Sequence, residues 1–126
     1  MIKTISAPGA PAAIGPYSHA VCTGDLLFTS GQIALDPATG KLAGENIESQ
    51  AKQIFKNLSA VLGAAGFGFS NVVKTVIYMT DLADFSLVNQ LYGTLFKSDP
   101  PARSCVQVAA LPAGAKLEIE MIAAKK

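Results

Sequence analysis

Between Asn46 and Gly66 the apolar residues recur at helical spacing: Ile47, Ala51, Ile54, Phe55, Leu58, Val61, Leu62 and Ala65 share one face. A helix with a single apolar stripe must lay that stripe on another layer, so this segment commits the chain to a layered domain. Asn46 suits the N-cap, Glu48 the first turn and Gly66 the C-terminal stop. On both sides of the helix the period drops to two. "KTIS" reads as a first strand, and "SHAVCTGDLLFTSGQI" as two strands joined at Gly24-Asp25. "NVVKTVIYMT" is rich in β-branched residues, and "RSCVQVA" and "KLEIEMIAA" alternate near the end.

A second helix is expected from about Asp84, with Phe85, Val88, Tyr92, Leu95 and Phe96 buried and "KSDPPA" breaking it. The "DPATG" turn precedes "KLA", a candidate for a short extra strand. The order β-β-β-α-β-α-β-β predicts an α+β fold, two helices covering one face of a mixed sheet. The other face then needs cover, which points to copies of the same chain.

Composition supports that inference. The chain has 126 residues, read as one domain over 1–126, and only 15% are charged against 50% hydrophobic. Ten basic and nine acidic residues leave a net charge of +1, which offers no electrostatic footprint for nucleic acid or anionic membrane. "MIKTIS" lacks the pattern of a signal peptide, and the longest apolar stretch, "LSAVLGAAGFGF", is too short to span a bilayer. Cys22 and Cys105 form no metal or redox motif, so free thiols and a cytoplasmic location are expected.

The chemistry-bearing residues cluster late in the chain. Arg103, Cys105 and Gln107 share one face of their strand, with the Arg103 and Cys105 Cα atoms about 7 Å apart. A guanidinium fork fits a carboxylate in a bidentate way, either that of a ligand or that of Glu118 or Glu120 on a neighbouring strand. Glu118 and Glu120 lie opposite Leu117, Ile119 and Met121, and a desolvated carboxylate near a substrate orients water or moves protons. A lone cysteine such as Cys105 is more often a small buried hydrophobe than a nucleophile. The one histidine, His19, enters a strand and reads as structural. Tyr17 lies on the proline- and glycine-rich loop, Ser30-Gly31 ends a strand, and Asn89 lies off the apolar stripe of the second helix. No His/Cys/Asp set has metal-ligand spacing, and "GAAGFGF" follows a helix, which is the wrong context for a phosphate loop.

Together "APAAIGPYS", "TSGQI", "VVKTVIYMTDLADF", "VNQLY", "PPARSCVQVAALP" and "LEIEMIA" resemble the RidA/YjgF family, in the family's order and over nearly the whole chain. The resemblance implies a chorismate-mutase-like fold assembled as a homotrimer around a central barrel, with ligand clefts between subunits. It implies a cofactor-independent 2-iminobutanoate/2-iminopropanoate deaminase, which hydrolyses reactive imines to 2-oxo acids and ammonia. Those imines derive from the products of pyridoxal-phosphate-dependent dehydratases. By the same resemblance Arg103 binds the substrate carboxylate, Cys105 lines the pocket and helps place the imine nitrogen or the water, and Glu118 positions and polarises the attacking water. Tyr17, Ser30, Gly31 and Asn89 complete the cleft. One departure is the connection "KSDPPA", which is shorter than in many members and bears on substrate size. Two other functions compete: a non-catalytic trimer that binds small 2-oxo acids or protects other proteins, and a translation-inhibiting ribonuclease, for which no basic-aromatic stripe is visible.

Overall fold

The structure, a computed structural model, describes residues 1–126. Strands β1 (Ile2–Ile5), β2 (Ala20–Thr23) and β3 (Leu26–Thr29) precede helix α1 (Ile47–Ala64). Strand β4 (Val72–Met79), helix α2 (Phe85–Gly93), β5 (Ala102–Gln107) and β6 (Leu117–Ala124) follow. One sheet runs β1-β2-β3-β6-β4-β5. All pairs are antiparallel except β4–β5, the parallel pair that α2 connects. The expected mixed α+β architecture is the one observed, and within one chain the sheet stays open, with β1 and β5 at its edges.

Strand β6 organises the sheet because it lies between β3 and β4. Leu117, Ile119, Met121 and Ala123 are buried under the helices, while Glu118, Glu120, Ile122 and Ala124 point to the opposite side and are only half-buried. On that open side Leu26, Phe28 and Val106 are 40, 41 and 43% exposed. These large apolar side chains on a sheet face are what a further layer would cover.

Helix α1 starts and stops as its sequence directs. Asn46 Oδ1 accepts the Ser49 N–H at 2.8 Å, and Gly66 takes the left-handed backbone (φ 80°) that ends the helix. Two polar residues sit in its apolar stripe. Asn57 is fully buried and donates through Nδ2 to the carbonyls of Ile33 (3.3 Å) and Leu35 (2.9 Å), while its Oδ1 accepts from Gln53 Nε2. Gln50 accepts the Lys116 N–H and donates to the Gly44 carbonyl. The helix thereby ties down irregular backbone that no strand satisfies.

Two expectations are corrected. Helix α2 ends at Gly93, so Leu95 and Phe96 lie beyond it. The Thr94 hydroxyl donates to the Leu91 carbonyl at 2.6 Å and its N–H turns to the same group, closing the helix a turn early. Phe96 still packs, edge-on to Phe69 and tilted on Tyr92. At "KLA" there is one isolated bridge, Leu35 to Leu42, because the "DPATG" turn folds back too briefly for a strand.

Asn57→Ala removes both carbonyl contacts while leaving the carbonyls buried, so stability should fall by about 2 to 3 kcal/mol. Urea unfolding checks this, and a loss under about 0.5 kcal/mol would mean that water replaces the amide.

Candidate active site

Register decides which side chains can meet. Across β4, β5 and β6, Thr75, Arg103 and Met121 stand in one row, and Ile77, Cys105 and Ile119 in the next of the same parity. Thr75, Ile77 and Ile119 are fully buried, so these rows face the helices. Tyr78, Val106 and Glu118 form a row facing the open side, as do Val76, Ser104 and Glu120. Arg103 and Glu118 of one chain therefore lie on opposite faces with β4 between them. The expected placement of arginine and glutamate on adjacent strands is wrong, and so is an ion pair between them. The chain's one ion pair joins Lys52 to Glu48.

On the helix side, Arg103 sits at the sheet edge with its guanidinium 5.4 Å from the Phe85 ring centre and 5.1 Å from that of Tyr92. Its Nη1 donates to Asn89 Oδ1 at 2.7 Å. Tyr92 is fixed in turn by a 2.8 Å hydroxyl contact with buried Thr75. The stripe that places Phe85 and Tyr92 toward the core thus also supplies the faces that hold the fork. Asn89, Tyr92, Pro100, Pro101 and Arg103 line a cavity of about 480 Å³. The short connection before β5 therefore does border the arginine.

On the open side, Glu118 lines a cavity of about 320 Å³ with Tyr17, Ser30, Gly31, Gln32 and Pro112 among its walls. Ser30 Oγ donates to the Ser18 carbonyl at 2.6 Å, and Gln32 exchanges two backbone hydrogen bonds with Ile119. That bridge brings Gly31 against the glutamate: a Cβ on Gly31 would lie 2.8 Å from the Glu118 carboxyl group. Gly31 is needed for this close approach. The loop carrying Tyr17 is pinned by His19, which is buried. Its Nδ1 accepts the Ala7 N–H at 2.9 Å, so Nε2–H donates to the Pro11 carbonyl at 2.7 Å. The structural reading of His19 holds.

The chain as a whole is similar to known proteins. The family model described as Endoribonuclease L-PSP matches residues 7–125. A 2-iminobutanoate/2-iminopropanoate deaminase of Mus musculus is 50% identical over 121 residues, covering 96% of this chain and 90% of that protein. TdcF of E. coli, crystallised with bound serine, superposes with a TM-score of 0.94 at 42% identity, over 98% of this chain and 99% of that one. The E. coli YjgF gene product superposes with a TM-score of 0.93 at 43% identity, over the same shares. The chain belongs to the RidA/YjgF family.

Of the residues that the family resemblance singled out, the structure gathers Tyr17, Ser30, Gly31 and Glu118 in one cavity, and Asn89 and Arg103 in the other. Cys105 lines neither. It is half-buried, its Sγ 3.7 Å from Met79 Sδ. Burial pushes its thiol up, with the Arg103 charge opposing, so it stands as a thiol and not a thiolate. Gln107, on the same face, is occupied in accepting the Leu82 N–H. The sequence reading missed Gln32 and Pro112, which carry no chemical signature, and the Arg103-holding role of Phe85 and Tyr92.

Glu118 has its pKa raised, first by burial and then by the Glu120 charge. A carboxyl raised in the fold favours folding when protonated, and that contribution is lost as pH rises through the raised value. Glu118→Gln should therefore melt above the parent at pH 7, with the gap closing as pH falls toward the ordinary glutamate value of about 4.3. Melting curves across pH check this, and equal midpoints at pH 7 would show the carboxylate to be solvated. Gly31→Ala should leave the fold intact but displace the Glu118 carboxyl group, a shift visible in a crystal structure of the variant.

Proposed function

We propose that the protein hydrolyses reactive 2-imino acids, 2-iminobutanoate and 2-iminopropanoate, to 2-oxo acids and ammonia. The observation that carries this reading is the Arg103 fork, held between two aromatic rings with no carboxylate of its own chain to bind. The name of the mouse relative supplies the chemistry, and the serine bound to TdcF is a small ligand with the same carboxylate. No helix is long and apolar enough to cross a membrane. The free thiols of Cys22 and Cys105 suit a reducing cytoplasm. There, pyridoxal-phosphate-dependent dehydratases would supply the imines.

The two cavities face opposite ways, so one complete site takes Arg103 from one chain and Glu118 from the next. A homotrimer in which the β5 edge of one chain, with Arg103, meets the open sheet face of the next satisfies this and covers Leu26, Phe28 and Val106. In such a site Arg103 fixes the substrate carboxylate and Asn89 orients the fork. Tyr17 and Ser30 wall the pocket, and Gly31 lets Glu118 approach. Cys105 supports Arg103 through packing and takes no covalent part.

A protonated imine is already a strong electrophile, so positioning and electrostatics suffice. Water attacks the imine carbon, the C=N π pair moves onto nitrogen, and Glu118 takes the proton that the water loses. Glu118 returns this proton to nitrogen, and the C–N bond breaks with ammonia as leaving group. As the carbonyl forms, the hydroxyl proton passes to Glu118 and then to ammonia. A carboxyl whose pKa is raised by burial and by the Glu120 charge takes a proton from water more readily than an ordinary glutamate does.

The ribonuclease reading draws on the family description, but the only imidazole is buried with both nitrogens engaged. The oxo-acid-binding reading differs only in turnover.

Coupling the protein to threonine dehydratase, with semicarbazide trapping free imine, measures 2-oxobutanoate release. Arg103→Ala should lower kcat/KM about a hundredfold, and Arg103→Lys should also be poor because the fork is lost. Cys105→Ser should stay active. Co-refolding Arg103→Ala with Glu118→Gln chains should restore about a quarter of the sites, since each then draws at random on neighbouring chains. No recovery on mixing would place both groups in one chain's site, and no acceleration by the parent protein would leave the ligand-binding trimer.

A further inference from the structure

The open face holds a second carboxylate that the proposed reaction does not use. Glu120 stands two residues from Glu118 on β6, on the same side of the sheet. The hydroxyl of Tyr78, which stands in the Glu118 row on β4, donates a hydrogen bond to Glu120 Oε1. The other groups facing this pair are few. On β4, Lys74 lies one row further, its Nζ 3.5 Å from Ser104 Oγ. On β5 the row contributes Ser104 and Val106, on β3 Leu26 and Phe28, and the loop contributes Tyr17 at the Glu118 cavity. No cation lies within ion-pair distance of either glutamate.

We propose that Tyr78 and Glu120 are positioning residues for Glu118: the phenol holds the Glu120 carboxylate in place, and that fixed negative charge keeps the proton taken from water on Glu118 until the nitrogen receives it. This rests on the role given to Glu118 above. The hydrogen bond fixes where the Glu120 carboxylate stands, two residues along β6 from Glu118 and on the same side of the sheet. The like charge then disfavours ionisation of Glu118 specifically. Burial raises the Glu118 pKa first, and the Glu120 charge adds to it in the same direction. The Tyr78 hydroxyl is itself held protonated, chiefly by its hydrogen bond to Glu120.

The test follows Glu118 by its side-chain carbon signal in an NMR pH titration, beside the pH profile of kcat/KM. Glu120→Gln removes the charge and keeps the shape, and should move the Glu118 midpoint and the acid limb of activity down by about half to one pH unit. Tyr78→Phe should move both in the same direction by less, because Glu120 keeps its charge but loses its anchor. Glu120→Asp keeps the charge and should move the midpoint less than Glu120→Gln does; if Glu120→Gln fails to assemble, Tyr78→Phe carries the test. An unmoved midpoint in Glu120→Gln overturns the proposal, as does a stability loss without a shift in Tyr78→Phe. If Glu118→Gln is fully active, the reading of the reaction fails, whereas the NMR titration still judges the coupling by itself.

Discussion

The pleat of β6 is the constraint from which the rest of the structure follows. Because β6 pairs with β3 on one side and β4 on the other, its alternation fixes which way the central strands face. Four of its residues, Leu117, Ile119, Met121 and Ala123, join the core and receive α1. The intervening residues then have no choice but the open side, and two of them are glutamates. A slip of one residue would bury both carboxylates under the helices and expose the core set, a reversal costing several kcal/mol for each ion buried. Hydrophobic burial therefore positions Glu118 as securely as it positions Ile119.

That same geometry separates the two halves of the chemistry. Arg103 shares its row with Thr75 and Met121, on the helix side, and is steadied there by residues of α2. Glu118 shares its row with Tyr78, on the other side, and is steadied by the segment after β3. Each half is well ordered by its own neighbours, yet neither carries the other's function. On the proposed reading, such a chain gains a complete site only when the edge of a second copy brings its Arg103 to the open face, which would tie activity to subunit concentration.

Much of this was legible in the sequence because period reports local structure directly. The helical stripe from Ile47 to Ala65 and the alternation of "LEIEMIA" mark both the element and its buried side. Strand order is another matter. The last strand inserts between the third and fourth, a choice made by tertiary packing that no local pattern records, so the neighbour relation of Arg103 to Glu118 was misjudged. Gln50 and Asn57 escaped notice because they are polar, although they fall at the stripe's own spacing, three residues after Ile47 and Ile54. The early end of α2 turned on one hydroxyl, that of Thr94, against a stripe that continues past it. Gly31 was visible only as the end of a strand, and the group that closes on it is a side chain of the same protein.

Glu118 also shows why such a site is held by glycine and by backbone rather than by salt bridges. A cation beside this carboxyl would ease its burial and hold it ionised, which would weaken its ability to carry a proton. What surrounds it instead is neutral or negative: the Gly31 backbone, the Ser30 hydroxyl turned to Ser18, the Tyr78 phenol and Glu120. The fold tolerates that cost because it is local. The Gln32–Ile119 bridge and the β4–β6 pairing from Lys74 to Met79 hold the backbone on either side, so the cost of an uncompensated carboxylate falls on Glu118 alone, the residue to which the proposed reaction assigns the proton.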